Sequence, residues 1–125
     1  MKKQDKKIEK KEIKIIDASG RTLGRVASEV ASILMGKTKA TYERHIYSGL
    51  KVEVKNASKI KITAKKLAEI YHTRYSGFRG GLRILSGTET AEKKGMRELV
   101  KLAVYHMLPG NKLRRKMMEN LKVAD

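Results

Sequence analysis

The sequence contains no cysteine, which excludes disulfide bonds, thiolate metal sites and cysteine nucleophiles. It also contains no tryptophan and a single phenylalanine, Phe78, although large aromatic residues commonly anchor an amphipathic helix at a membrane surface. No apolar run approaches the length of a transmembrane helix or a signal-peptide core. These absences disfavour a membrane-bound protein, and we expect a cytosolic protein from a reducing compartment.

Acidic residues are scarce in comparison with basic ones. There are 30 lysines and arginines and 13 aspartates and glutamates, which gives a formal net charge of +17. Like charges at this density repel one another and weaken the folded state. A polyanionic partner would neutralise them, and nucleic acid is favoured over an anionic membrane because apolar anchoring residues are few.

The distribution of apolar residues divides the chain into an arm and one domain. Residues 1–12 contain only Ile8 as an apolar side chain beyond Met1, which is too little burial to offset the entropy of ordering. We therefore predict a flexible basic arm in residues 1–12. Residues 13–125 are predicted to form a single α/β domain with a parallel or mixed sheet.

The first part of this domain carries two clear patterns. The short, mostly apolar run Ile13–Ile16 predicts a strand covered on both faces. Apolar residues then recur every three or four positions from Leu23 to Leu34, which predicts a helix. Thr22 or Ser19 is placed to cap its start, and Gly36 is placed to end it.

The rest of the domain is predicted from shorter patterns. Further strands are expected at 51–56 and 60–62, a short helix around Leu67 and Ile70, and a turn at 77–81 between paired extended segments. A helix from Met96 to Met107 should end before Pro109. Asn111 can cap a last helix, whose apolar residues are Leu113, Met117 and Leu121.

Basic residues are concentrated in two segments of the domain. Seven lie between Lys59 and Arg83, where Glu69 is the single acid. Four more lie at the start of the last helix. A solvated helix face is a sufficient explanation for Lys93 and Lys101. An RNA contact explains the crowded cluster better. The four are Lys112, Arg114, Arg115 and Lys116.

The glycine-rich segment 76–81 lacks the Gly-Lys-Ser/Thr ending of a nucleotide-binding loop and matches no dinucleotide fingerprint. It predicts a turn whose backbone N–H groups could also approach phosphate. Tyr71, Tyr75 and Phe78 interleave with basic residues around it. They could stack on exposed bases, although aromatic residues in a strand are more often part of the core.

An enzyme finds little support in the sequence. His45, His72 and His106 are far apart and lack metal-ligand spacing. Asp17 and Glu29 form no evident pair for acid–base work or magnesium binding. We predict no catalytic residue, metal or cofactor; a basic nuclease and a free RNA-binding regulator remain as alternatives to a structural RNA-binding protein.

Several ordered motifs resemble the thirteenth large-subunit ribosomal protein family in its bacterial form, over about residues 13–123. The longest is Ile16-Asp17-Ala18-Ser19-Gly20-Arg21-Thr22-Leu23-Gly24-Arg25-Val26-Ala27-Ser28. The others, in the same order as in the family, are Gly36-Lys37 with Tyr42 and His45, Val54-Lys55-Asn56-Ala57, Lys65-Lys66, Tyr75-Ser76-Gly77 with Gly80-Gly81-Leu82, and Met107-Leu108-Pro109 with Asn111-Lys112-Leu113. The chain departs from the family pattern at Ala64 and in the loop 46–50.

The resemblance implies a three-layer α/β/α domain around a mainly parallel four-stranded sheet. It also implies a structural role in the large ribosomal subunit, with binding to large-subunit rRNA early in assembly, neighbouring ribosomal proteins as partners, and a single copy per ribosome. The RNA-facing positions that it implies are Lys37, His45, Lys65, Lys66, Tyr75, Gly77, Gly80, Gly81, Asn111 and Lys112. Charge alone adds Lys39, Arg44, Arg74, Arg79, Arg114, Arg115 and Lys116.

Overall fold

A computed structural model describes residues 12–125 of the chain. The strands in this range are β1 (Ile13–Asp17), β2 (Lys51–Lys55), β3 (Tyr71–Tyr75), β4 (Leu82–Ser86) and β5 (Leu121–Val123). The α-helices are α1 (Leu23–Met35), α2 (Ala64–Glu69), α3 (Gly87–Lys94), α4 (Met96–Met107) and α5 (Leu113–Glu119). The predicted basic arm lies outside the described residues except for Glu12, so it stays a prediction.

Three strands form a parallel sheet in the order β1-β2-β5. In its register Ile16 lies beside Val54, and Val54 lies beside Val123 on the other side. The helix α1 connects β1 to β2, as a crossover between parallel strands requires. The predicted α/β class is confirmed.

The fourth strand of the sheet is not confirmed. Instead of a strand at 60–62, residues Ala57–Lys59 form a 3-10 turn, and Lys61 makes only an isolated parallel bridge to Thr22. The alternation of Ile60 and Ile62 therefore reflects a turn that buries Ile60 in the core. Two strands, β3 and β4, form a separate antiparallel hairpin.

The core lies between one face of the parallel sheet and the helices α1 and α4, which pack against each other. Val26 and Val30 of α1, Val54 of β2, and Val100 and Val104 of α4 have no exposed surface. All of the predicted apolar stripe of α1 is buried. The core is built from side chains without charge, so the charged residues are left for the surface.

The prediction that β1 is covered on both faces is not confirmed by the described residues. Ile16 faces the helices and is buried, whereas Ile13 and Ile15 are 56% and 60% exposed. Successive side chains of a strand point to opposite faces, and the long helices α1 and α4 pack on the face to which Ile16 belongs. A run of isoleucines does not by itself reveal whether a second layer covers it.

Helix ends follow the predictions in part. Gly36 ends α1 in the left-handed region (φ +84°), and its N–H donates to the carbonyl of Ile33. Thr22 stands at the start of α1, but its side chain makes no capping hydrogen bond. The side chain of Asn111 accepts the N–H of Leu113 at 3.1 Å, although the N-cap position of α5 is occupied by Lys112, which makes no side-chain capping bond.

Two elements near the end of the chain were not expected. The helix α3 carries no apolar stripe and is started by Ser86, whose hydroxyl accepts the N–H of Glu89 at 3.2 Å. Leu121, predicted to lie on the last helix, instead lies in β5 beside Val52. The helix α5 ends at Glu119, because pairing with β2 places Leu121 in the core as a strand residue.

Candidate nucleic-acid interface

Basic side chains of the described residues lie at the surface. Thr90 is the only polar or charged residue that is buried in the range 12–125. Among the predicted RNA-facing cations in that range, His45 and Arg115 alone lie within 4.0 Å of a described carboxylate. Most of the positive charge at these positions is therefore exposed and uncompensated, which suits a polyanionic partner.

The cluster at the start of α5 is organised by two tyrosines. The guanidinium carbon of Arg114 lies 3.9 Å from the centre of the Tyr105 ring, close enough for a cation–π contact. The Nζ of Lys116 lies 6.0 Å from the centre of the Tyr47 ring, and Tyr47 also receives a hydrogen bond from the amide of Asn120. The two contacts restrict the directions in which these charges can point.

Arg115 and Lys112 are held less firmly. The Nε of Arg115 lies 3.9 Å from a carboxylate oxygen of Glu119, and its side chain is 91% exposed. An ion pair this exposed contributes little and is easily exchanged for another anion. Lys112 is exposed at the N-terminal side of α5, so both side chains are available to phosphate.

An open groove brings together the loop between α1 and β2 and the connection between α4 and α5. Lys37, Arg44 and Asn111 line this groove together with Tyr42 and Pro109. Lys39 lines the adjoining pocket, which shares Tyr42 with the first. Residues that are more than 60 positions apart in the sequence thus form one basic surface, which extends along α5.

The hairpin of β3 and β4 adjoins the same region through Tyr105. The Tyr105 ring lines a pocket with Arg74 on one side and a groove with Arg114 and Arg115 on the other. Sequence reasoning missed Tyr105 as a candidate residue. Its position just after the buried Val104 would have identified it, because an aromatic residue out of phase with the apolar stripe of a helix is exposed.

The glycine-rich turn joins β3 to β4 as predicted. Gly77 and Gly80 have φ values of +85° and +71°, which non-glycine residues rarely adopt. The N–H of Gly81 donates to the carbonyl of Phe78 at 3.0 Å. Arg79 therefore lies in a short, defined loop at the tip of the hairpin.

Apart from the residues of the hairpin, three predicted residues are not gathered into the groove at α5. Lys65 and Lys66 are exposed on α2, which starts at Thr63 with a hydrogen bond from the N–H of Lys66 to the threonine hydroxyl. His45 is 80% exposed in its side chain, and its Nε2 lies 3.3 Å from the carboxylate of Glu43. These positions would form separate contacts on an extended partner.

Two histidines that are distant in the sequence meet in the fold. The rings of His72 and His106 are stacked, with their centres 5.6 Å apart and an angle of 2° between them. Burial lowers the pKa of His72, and the neighbouring His106 lowers it further.

The described residues hold no group of three or more side chains suited to a metal ion.

Asp17, at the end of β1, has a structural environment. Its carboxylate accepts hydrogen bonds from the side-chain amide of Asn56 and from the N–H of Ser19, both at 2.9 Å. The bond from Asn56 lowers the pKa of Asp17 most, and that from Ser19 lowers it further. The carboxylate thus ties the end of β1 to the end of β2, where Asn56 adopts a left-handed conformation (φ 58°).

No helix of the described residues is both long and apolar enough to span a bilayer. A small α/β domain with a neutral core and exposed cations on loops, on a hairpin and on a terminal helix is typical of proteins that bind nucleic acid. Comparison with known proteins identifies the family. The family model for ribosomal protein L13 matches residues 11–124, and the chain belongs to this family.

Individual relatives agree with this family. The large ribosomal subunit protein uL13 of Pelobacter propionicus is 46% identical over 125 residues, which cover 98% of this chain and 87% of the relative. The uL13 proteins of Clostridioides difficile and Thermotoga maritima are 44% and 46% identical over 109 residues. Those alignments cover 87% of this chain and 76% and 72% of the two relatives. The suspected bacterial-type resemblance is confirmed.

Proposed function

We propose that the protein is a structural component of the large ribosomal subunit, in which it binds large-subunit rRNA and takes part in early subunit assembly. Membership of the ribosomal protein L13 family is the observation that carries this proposal. The relatives named large ribosomal subunit protein uL13, about 45% identical over most of the chain, support it. The family is structural rather than enzymatic, so the role is one of binding.

The proposed RNA-facing surface consists of three parts. The first is the loop after α1, including His45 outside the groove, together with the start of α5; the second is the β3–β4 hairpin, and the third is α2. Its support is the exposure of the cations and the scarcity of nearby carboxylates. Its residues are Lys37, Lys39, Arg44, His45, Lys65, Lys66, Arg74, Tyr75, Gly77, Arg79, Gly80, Gly81, Asn111, Lys112, Arg114, Arg115 and Lys116.

A finer fold also belongs to this proposal. We expect a third layer on the outer face of the parallel sheet, because Ile13 and Ile15 are exposed there and parallel sheets are usually covered on both faces. The parallel bridge between Thr22 and Lys61 marks the place where a fourth strand would form. Neighbouring ribosomal proteins and a single copy per ribosome complete the expected assembly.

Sedimentation tests the proposed function against a free RNA-binding regulator. Tagged protein should co-sediment with the large subunit at high magnesium, in a constant ratio to its rRNA. Ultraviolet crosslinking within those subunits, followed by sequencing of the attached RNA, should recover large-subunit rRNA. Protein that stays at the top of the gradient and crosslinks to messenger RNA would instead identify a regulator.

A further inference from the structure

The outer face of the β3–β4 hairpin is apolar and exposed. In the antiparallel register Tyr75 lies beside Leu82, and the side chains of Tyr71 and Ile84 lie on the same face. Tyr71, Tyr75, Leu82 and Ile84 are 59–67% exposed, and Phe78 at the tip is 78% exposed. We call these five residues the outer hairpin face.

The helices within residues 12–125 leave this face exposed. The opposite side of the hairpin carries His72 and Leu85, which are half-buried and line a pocket with Leu102 and His106 of α4. The hairpin is thus already packed through one side. An exposed patch with three aromatic rings is unusual for a protein that acts alone, and such patches mark interaction sites.

Positive charge lies at the tip of the hairpin and on the face opposite the outer hairpin face. No acidic residue occurs between Glu69 and Glu89. Arg74 and Arg83 lie directly beside each other across the two strands, and like charges in that position destabilise a hairpin unless an anion lies close to both. The side chains of Arg74 and Arg83 belong to the face that also carries His72 and Leu85, so Arg79 at the tip is the arginine next to the aromatic surface.

We propose that the outer hairpin face is a stacking platform for unpaired bases of the RNA, and that Arg79 at the tip contacts the phosphates of the same strand. Flat aromatic rings stack on bases of any type, and bases become available in loops and junctions rather than in paired helices. This inference rests on the proposed function and adds to it the part of the RNA that is bound. No described carboxylate lies within 4.0 Å of Arg79, and an apolar protein surface would leave it without a counter-charge, so RNA fits the patch better.

The test compares substitutions that keep apolar surface but differ in the aromatic ring. Tyr75→Leu and Phe78→Leu remove a flat ring, whereas Tyr75→Phe keeps the ring and removes only the hydroxyl. Because both positions are well exposed, the variants should fold, and circular dichroism with thermal melting checks this. Binding is measured to overlapping transcripts of the organism's own large-subunit rRNA, with 2-aminopurine placed at unpaired adenines of the tightest fragment.

The leucine variants should lose roughly 5- to 160-fold in affinity for each base that is no longer stacked. The dependence of affinity on salt should be unchanged, because no charge is removed. Tyr75→Phe should bind like the wild type, and both should change the 2-aminopurine fluorescence in the same way. A complementary oligonucleotide that pairs with the unpaired bases of the rRNA fragment should abolish the difference in affinity between the leucine variants and the wild type.

Two outcomes would overturn the platform. Wild-type affinity in both leucine variants would assign the face to a protein partner, and equal losses in Tyr75→Phe and Tyr75→Leu would show that the hydroxyl, rather than stacking, matters. The proposed function fails in a different way: the wild type would then bind none of the rRNA fragments. The two failures are therefore distinguishable.

Discussion

Removing charge from the start of α5 should lower the salt dependence of RNA binding more than removing the same charge elsewhere. The variant replaces Lys112, Arg115 and Lys116 with glutamine. Arg114 is retained because its guanidinium group packs on the Tyr105 ring, so its loss would combine changes in charge and in packing. The three chosen side chains are exposed and should leave the fold intact.

The expected magnitude follows from counterion release. Each phosphate contact contributes about 0.9 to the slope of log affinity against log salt on a duplex and about 0.7 on a single strand. Three contacts contribute about 2 to 2.7, so between about 50 and 200 mM salt the wild type should lose about 20- to 40-fold more affinity than the variant. The weak ion pair of Arg115 with Glu119 changes this little, because exposed pairs contribute about 1 kcal/mol or less.

The assay is filter binding or fluorescence anisotropy with one rRNA fragment over a series of salt concentrations. The matched control replaces Lys55, Lys101 and Lys122, which are also exposed but lie outside the proposed surface. We expect the control to keep a slope close to that of the wild type. Equal reductions of slope in the variant and the control would refute a localised interface, and an unchanged slope in the variant would remove α5 from it.

Three further predictions concern stability, and each is checked by chemical denaturation. Ile16→Ala should destabilise the protein by about 2–5 kcal/mol because Ile16 is buried, whereas Ile15→Ala on the exposed face of the same strand should change stability by about 1 kcal/mol or less; similar losses would contradict the open face of β1. Gly36→Ala should lower the free energy of unfolding by at least about 1 kcal/mol, because the backbone at Gly36 is left-handed and an added Cβ would lie 2.7 Å from the Cβ of Ser48. An unchanged free energy of unfolding would contradict this prediction. The pKa of His72 is lowered in the folded protein, so the unfolded chain takes up its proton first and the free energy of unfolding should fall as the pH drops below about 6.5. Its pocket also contains Glu89, Glu98, Lys93, Lys94 and Arg74, and His72→Gln should remove part of the acid sensitivity while leaving stability above that pH nearly unchanged.

The local elements that the sequence predicted well are those with a periodic apolar pattern. The helices α1 and α4 and the end of α1 at Gly36 follow from spacing and from the left-handed conformation that glycine tolerates. The helix α3 has no such stripe and starts from a serine cap, so its pattern resembled a loop. Leu121 fitted the period of a helix, but pairing with β2 placed it in a strand.

The candidate interface shows the same division. Composition and clustering identified the basic segments, and the ordered motifs identified the family. The neighbours of each charge were not predictable: Tyr105 under Arg114 and the meeting of His72 with His106 depend on contacts between distant segments. The aromatic residues of the hairpin, which were more readily assigned to the core, proved exposed.

The amino-acid sequence by itself determined the net charge of +17, the segments that carry it, the main helices and the family, because these depend on composition or on patterns within one segment. The tertiary structure decided which face of each strand is covered and which distant residues share a groove. A strand presents two faces with the same local geometry, and only the packing of α1 and α4 distinguishes the buried Ile16 from the exposed Ile15. The same is true of the hairpin, where one side meets α4 and the aromatic side is exposed among the described residues.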